Sequence, residues 1–250
     1  MKSLRSAVLK TKRAKVHINA LRRATNKPYR YTFVGKHNPN TKDFETDWSI
    51  KPKRLPNMAI IAGDVATNLR ASLDHIAFAL LDTKKSITKR RLKTFYFPLI
   101  WDVKDANGRK GTTKYMIKGA DAIIERFQPY NRTKWSDLEW LDILNEIVNF
   151  DKHRRIVTVA TAIRFWSPVP AVSWQSGLLD FKKGKVHVVI PYSVVEKLKS
   201  DGKFDIAYSA EIFFDVTVRG TVRRLPVNFF DGVHRLIAKD MIPAFSSLKK

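Results

Sequence analysis

The stretch Asn57-Met-Ala-Ile-Ile-Ala-Gly-Asp-Val-Ala-Thr-Asn68-Leu-Arg-Ala-Ser-Leu-Asp-His75-Ile-Ala-Phe-Ala-Leu-Leu81 decides how this chain folds. Ile61, Val65, Leu69, Leu73, Ile76 and Leu80 recur at three- and four-residue steps, the period of a helix with one buried face. The spacing predicts a helix from about Asn57 to Leu81. Beside its apolar stripe runs a polar band of Asn68, Arg70, Ser72, Asp74 and His75. Asp64, Asn68, Ala71 and His75 fall on one line, while Arg70 and Asp74 stand four apart on the adjoining strip, close enough to pair. Arginine and aspartate are seldom fully buried alone. A guanidinium, a carboxylate and an imidazole on consecutive turns therefore need either mutual pairing or a chemical role.

Upstream, Leu4, Val8, Thr11, Ala14, Ile18 and Leu21 mark a first amphipathic helix with a lysine- and arginine-rich outer face. Alternation in Tyr29-Arg-Tyr-Thr-Phe-Val and in Phe44-Glu-Thr-Asp-Trp-Ser-Ile, around a His37-Asn-Pro-Asn-Thr turn, predicts a β-hairpin inserted between the two helices. Downstream, Lys84 to Lys93 reads as a polar, basic link. Phe95-Tyr-Phe-Pro-Leu-Ile reads as an extended run, because Pro98 disfavours helix just before it. Asp105-Ala-Asn-Gly-Arg-Lys-Gly reads as a loop. A short helix is expected from Ala120 to Phe127. Another is expected after Ser136, its candidate cap, with Glu139 three residues on; it ends near Asp151-Lys-His-Arg-Arg155.

Beyond that point the texture becomes β-rich, over Ile156–Phe165, Val186–Ile190 and Ile206–Val218, and Phe229 to Phe245 closes as an amphipathic helix. The expected fold class is α+β. A helical unit spans residues 1–154, with the hairpin at about 29–51. A small antiparallel β element with the C-terminal helix spans 155–250, and the two pack as one compact unit.

Charge is the outlier of the composition. Lys and Arg number 47 against 23 acidic residues, a formal net charge of +24. Residues 1–56 hold fifteen basic residues against three acids, residues 84–114 ten against two, and residues 115–154 are near neutral. Such a surface attracts polyanions, of which nucleic acid is the commonest. Arg22, Arg23, Arg90, Arg91 and Lys93 are the candidate phosphate contacts. The chain has no cysteine, which excludes disulfides and thiolate sites. No two histidines stand at a metal-ligand spacing, no glycine-rich phosphate loop is present, and no apolar run approaches a membrane span. No cofactor, no metal and no membrane partner are expected, and the cytoplasm is the default compartment.

Arg70-x4-His75 resembles the R-x(4–6)-H motif of the HEPN superfamily, helical proteins that include metal-independent ribonucleases and toxins. The wider pattern Asn68-Leu-Arg-x-x-Leu-Asp-His-x-Ala77, Phe97-Pro98, Gln128-Pro-Tyr130 and Asp151-Lys-His-Arg154 is similar to a group of bacterial proteins of like length that brings no known activity with it. Ala71 departs from the HEPN form, where a polar residue, often asparagine, follows the arginine. The HEPN resemblance implies an endoribonuclease of toxin or defence type. In it His75 would be general acid or base, a role that suits an imidazole near working pH. Arg70 would stabilise the phosphorane-like transition state, and Asp74 would orient either group. Asn68, Asp151, His153 and Arg154 would support the site, and a homodimer would pair two motifs.

Two other functions fit the same residues. One is a non-catalytic protein that binds nucleic acid through its basic helix faces. The other is an interaction scaffold in which Arg70, Asp74 and His75 only hold the bundle together, Arg70–Asp74 being an ordinary i,i+4 pair.

Overall fold

A computed structural model describes residues 3–25, 31–37, 39–40, 44–50, 55–131, 137–153, 158–166, 179–180, 185–190, 196 and 207–248; side chains are described within 3–25, 39–40, 57–131, 137–149, 196 and 213–248. In chain order the elements are α1 (Arg5–Thr25), β1 (Tyr31–His37), β2 (Phe44–Ile50), α2 (Leu55–Ala79), α3 (Lys89–Lys93), α4 (Asn107–Thr113), α5 (Ala120–Arg126) and α6 (Glu139–His153). Then follow β3 (Thr158–Trp166), β4 (Leu179–Asp180), β5 (Lys185–Ile190), β6 (Ala207–Val218) and β7 (Thr221–Pro226). The last helix, α7, runs through Phe229–Arg235, a wide π-helical turn at Leu236–Met241, and Ile242–Ser246. The wide turn ends two residues before Pro243, whose ring nitrogen has no proton to donate to the ladder.

The two long helices form as their periodicity predicts. α1 buries Ala7, Thr11, Ala14, Ile18 and Leu21 on one face. α2 buries Met58, Ala62, Val65, Leu69, Leu73 and Ile76, and the two pack along each other. α7 lies against both, burying Phe229, Phe230, Val233, Ile237, Met241 and Phe245. Lys15 and Arg22 of α1 each reach Asp231 of α7, at 2.8 Å, so the contact between these helices is ionic at its rim. One apolar core is continuous from Leu4 through the α6 residues Leu141, Leu144 and Ile147 to Phe245.

The architecture is α+β, with two antiparallel sheets. β1 and β2 pair with Phe33 opposite Trp48. β5 then adds to the other edge of β2, so the inserted hairpin belongs to a sheet of order β1-β2-β5 that joins the two halves of the sequence. The second sheet has order β4-β3-β6-β7. β6 turns into β7 through Arg219 and Gly220, at φ of 50° and 81°. Positive φ at both central residues matches the twist of a tight hairpin. Glycine adopts it freely and arginine at a cost.

The structure departs from the sequence expectations in three places; Tyr29 and Arg30 of the expected first strand lie outside the described residues. The basic link contains α3, nucleated by Thr88, whose hydroxyl accepts the Arg91 N–H. The span expected as a loop at 105–111 is a 3-10 turn, Val103–Asp105, leading into α4. Gly108 and Gly111 weaken helix formation there, but Arg109, Thr112 and Thr113 are buried and anchor it. β7 was not expected at all: only its Leu225 is buried, so it lacks a strand's apolar alternation. The Ser136 cap lies outside the described residues.

Candidate functional site

Phe95 to Ile100 runs extended across the bundle without joining either sheet. Phe95 and Phe97 are buried and Tyr96 is exposed, as expected of an extended strap over a core. Phe95 meets Phe78 of α2 edge to face, and Phe97 meets Phe245 of α7 in the same manner. An unpaired strap leaves backbone groups needing partners, at a cost of ~1–3 kcal/mol for each one buried and unsatisfied. Three side chains supply them. Asp74 Oδ1 accepts the Phe97 N–H at 3.0 Å, and Arg70 Nη2 donates to the Phe97 carbonyl at 3.1 Å. The fully buried Gln128 accepts from the Ile100 N–H at 2.9 Å and donates to the Pro98 carbonyl at 2.9 Å.

Arg70 and Asp74 also pair directly, Nη2 to Oδ1 at 3.3 Å. The guanidinium is mostly buried, and burial lowers its pKa while Asp74 and Tyr96 pull the other way. Its Nη1 is shielded from solvent and has no hydrogen-bond partner among the described residues. His75, half-buried, makes no hydrogen bond or ion pair with any described residue. At 100° per residue, Arg70 and His75 leave the helix about 140° apart. Asn68 donates to the Asp64 carbonyl one turn back. Thus Arg70 and Asp74 share a site on the strap, whereas Asn68 and His75 lie on a different strip of α2.

The remaining candidates are dispersed. Asp151 and His153 occupy the last turn of α6, but their side chains, like all of Arg154, lie outside the described residues. Arg22 is paired with Asp231, while Arg23 is exposed without an ion pair among the described residues. Arg90 and Lys93 are exposed on α3. Arg91 turns inward, donating to the Gly111 carbonyl and to Thr112 Oγ1, both at 3.0 Å, and so ties α3 to α4. No group of three or more acidic or histidine side chains that could hold a metal ion occurs among the described residues.

No protein-family model, no curated protein and no solved structure matches this chain.

Sequence reading missed a second polar network altogether. Buried Arg109 donates to Asp121 through Nε at 2.9 Å and Nη2 at 3.4 Å, and to the Tyr130 hydroxyl at 2.6 Å; it also pairs with Glu125. Tyr130 in turn donates to Glu125 at 2.7 Å. Burial opposes the Arg109 charge, but hydrogen bonding and attraction to Asp121, with Tyr130 and Glu125, more than offset it and hold its pKa up. Asp121 is held below its ordinary value, chiefly by its hydrogen bond to Arg109. Burial, with the bond to Glu125, pushes Tyr130 up to about 12. Near this network, Arg219 grips buried Asp142 through two contacts, 3.3 and 3.1 Å, and lies over Trp101 at 4.9 Å from the ring centroid. Only Gln128-Pro-Tyr130 hinted at any of this; Arg109 to Asp121 and Asp142 to Arg219 are separations that no local periodicity marks.

Proposed function

We propose that this chain is a nucleic-acid-binding protein of the cytoplasm, with RNA as the favoured partner, held through phosphates on its basic helix faces. One observation carries this reading. α1 bears seven lysines and arginines and no acid in 21 residues, and only Lys15 and Arg22 are neutralised by described residues, both through Asp231. Arg5, Lys12, Arg13 and Arg23 remain exposed along the helix. Unpaired cations in a row are what displaces counterions from a polyphosphate. The test is filter binding of single-stranded RNA over a range of salt. Reversing Lys12, Arg13 and Arg23 together to Glu should make the slope of log K against log salt shallower by about 2, from ~0.7 per phosphate contact. An unchanged slope would remove α1 from the interface.

A second reading, a HEPN-like metal-independent endoribonuclease acting as a homodimer, is supported by the R-x4-H spacing of Arg70 and His75 on α2. Arg70 is also part of the strap clamp, so its loss confounds folding with chemistry. His75→Ala is the cleaner variant. Loss of RNA cleavage in EDTA with unchanged unfolding would support catalysis; equal cleavage, or none by the native chain, would leave binding alone.

A further inference from the structure

Arginines turned into the fold meet carboxylates in most of this molecule: Arg70 meets Asp74, Arg109 meets Asp121 and Glu125, and Arg224 meets Asp215. The segment between α2 and α5 is held together differently. Arg91 of α3 donates to the Gly111 carbonyl and to Thr112 Oγ1 of α4, both at 3.0 Å. Lys85, ahead of α3, donates to the carbonyls of Lys114 and Met116, just past the end of α4, at 2.8 and 2.7 Å. Both ties are cations bonded to neutral acceptors, with no ion pair to a described residue. They join the two helices without cancelling any positive charge.

The same bonds gather the outward cations of both helices on one surface. Lys89, Arg90 and Lys93 are exposed on α3, and Lys110 and Lys114, one turn apart, are exposed at α4. Lys110 flanks Gly111, which Arg91 holds, and Lys114 supplies a carbonyl that Lys85 holds, so both stand beside the ties. Neither helix contains an acidic residue. None of the five cations forms an ion pair with a described residue; Lys110 is drawn toward Asp121, which Arg109 already grips. Crowded like charges destabilise the fold that holds them, and a polyanion relieves the repulsion on binding. α3 and α4 expose one large apolar side chain, Leu92, so the surface lacks the apolar centre that a protein partner would cover. α1 packs on α2 and α7, whereas α4 packs on α5 and on the Val103–Asp105 turn, so this surface is built independently of the α1 face.

We infer that α3 and α4 together form a second phosphate-binding face for a nucleic-acid strand, on which Lys89, Arg90, Lys93, Lys110 and Lys114 contact phosphates. The inference rests on the RNA-binding reading above and adds to it a site that α1 does not supply.

The experiment is filter binding of the full chain to single-stranded RNA over a range of salt, with the α1 reversals as reference. Reversing Lys89, Arg90 and Lys93 to Glu should make the slope of log K against log salt shallower by about 2, at ~0.7 per phosphate contact. Lys110→Gln combined with Lys114→Gln should make it shallower by about 1.4 on the same basis. All five side chains are exposed and make no hydrogen bond with a described residue, so the substitutions remove charge and not packing. Because the two faces are built separately, each loss should add to that of the Lys12, Arg13 and Arg23 reversals. If the α3 reversals flatten the slope and the α4 pair does not, or if neither set changes it, α3 and α4 are not one phosphate face, although RNA binding through α1 stands. If the unaltered chain does not bind the RNA, both readings fall together.

Discussion

Asp74 illustrates how one carboxylate can hold two unlike partners. It accepts the Phe97 N–H and balances the Arg70 guanidinium, so its removal strands both a buried N–H and a mostly buried charge. Asp74→Ala should cost about 3 kcal/mol, the usual penalty for breaking a buried pair by deleting one member, read from urea unfolding. Asp74→Asn keeps an acceptor for Phe97 and should cost less. Tyr130 offers a pH prediction. Its folded-state pKa of about 12 lies above the ordinary value near 10. The stability it lends is therefore whole below pH ~10 and is lost as pH rises toward its folded value. Tyr130→Phe should remove one late-titrating phenol from the ultraviolet titration and flatten the alkaline limb of the stability profile.

At the level of elements, close packing makes α7 intolerant where it crosses α6. A Cβ on Gly232 would sit 1.7 Å from a ring carbon of Trp140, which itself meets Phe229 edge to face. Gly232→Ala should destabilise by about 2 kcal/mol or more, through overpacking that the helix propensity of alanine cannot offset; a fall in thermal midpoint would check it. The long helices were legible in the sequence because each buries a stripe at the helical period: Ala7, Thr11, Ala14, Ile18 and Leu21 in α1 needed no tertiary information. α4 was not legible, since Gly108 and Gly111 argue against a helix and only the burial of Arg109 by residues far along the chain reverses the balance. The pattern of short motifs was visible, but not its geometry. Arg70 and Asp74, Phe97-Pro98 and Gln128 meet at the strap, and their spacing gave no sign that the strap was what they shared. His75 was grouped with Arg70 by motif, and the helical rotation between them separates the two.

At the scale of the molecule, a formal charge of +24 on 250 residues makes the folded state repel itself. Raising ionic strength from low to physiological should raise the thermal midpoint even as it weakens RNA binding, because screening relieves one interaction and competes with the other. A midpoint that fell with salt would mean that surface ion pairs such as Lys15–Asp231 outweigh the repulsion. The β1-β2-β5 sheet carries a practical consequence. A fragment cut at residue 154 would keep β2 but lose the strand that seals its far side. Its row of bare amides and carbonyls would invite pairing between copies, so the helical half expressed alone should come out of solution as associated material, and co-expression with residues 155–250 should rescue it.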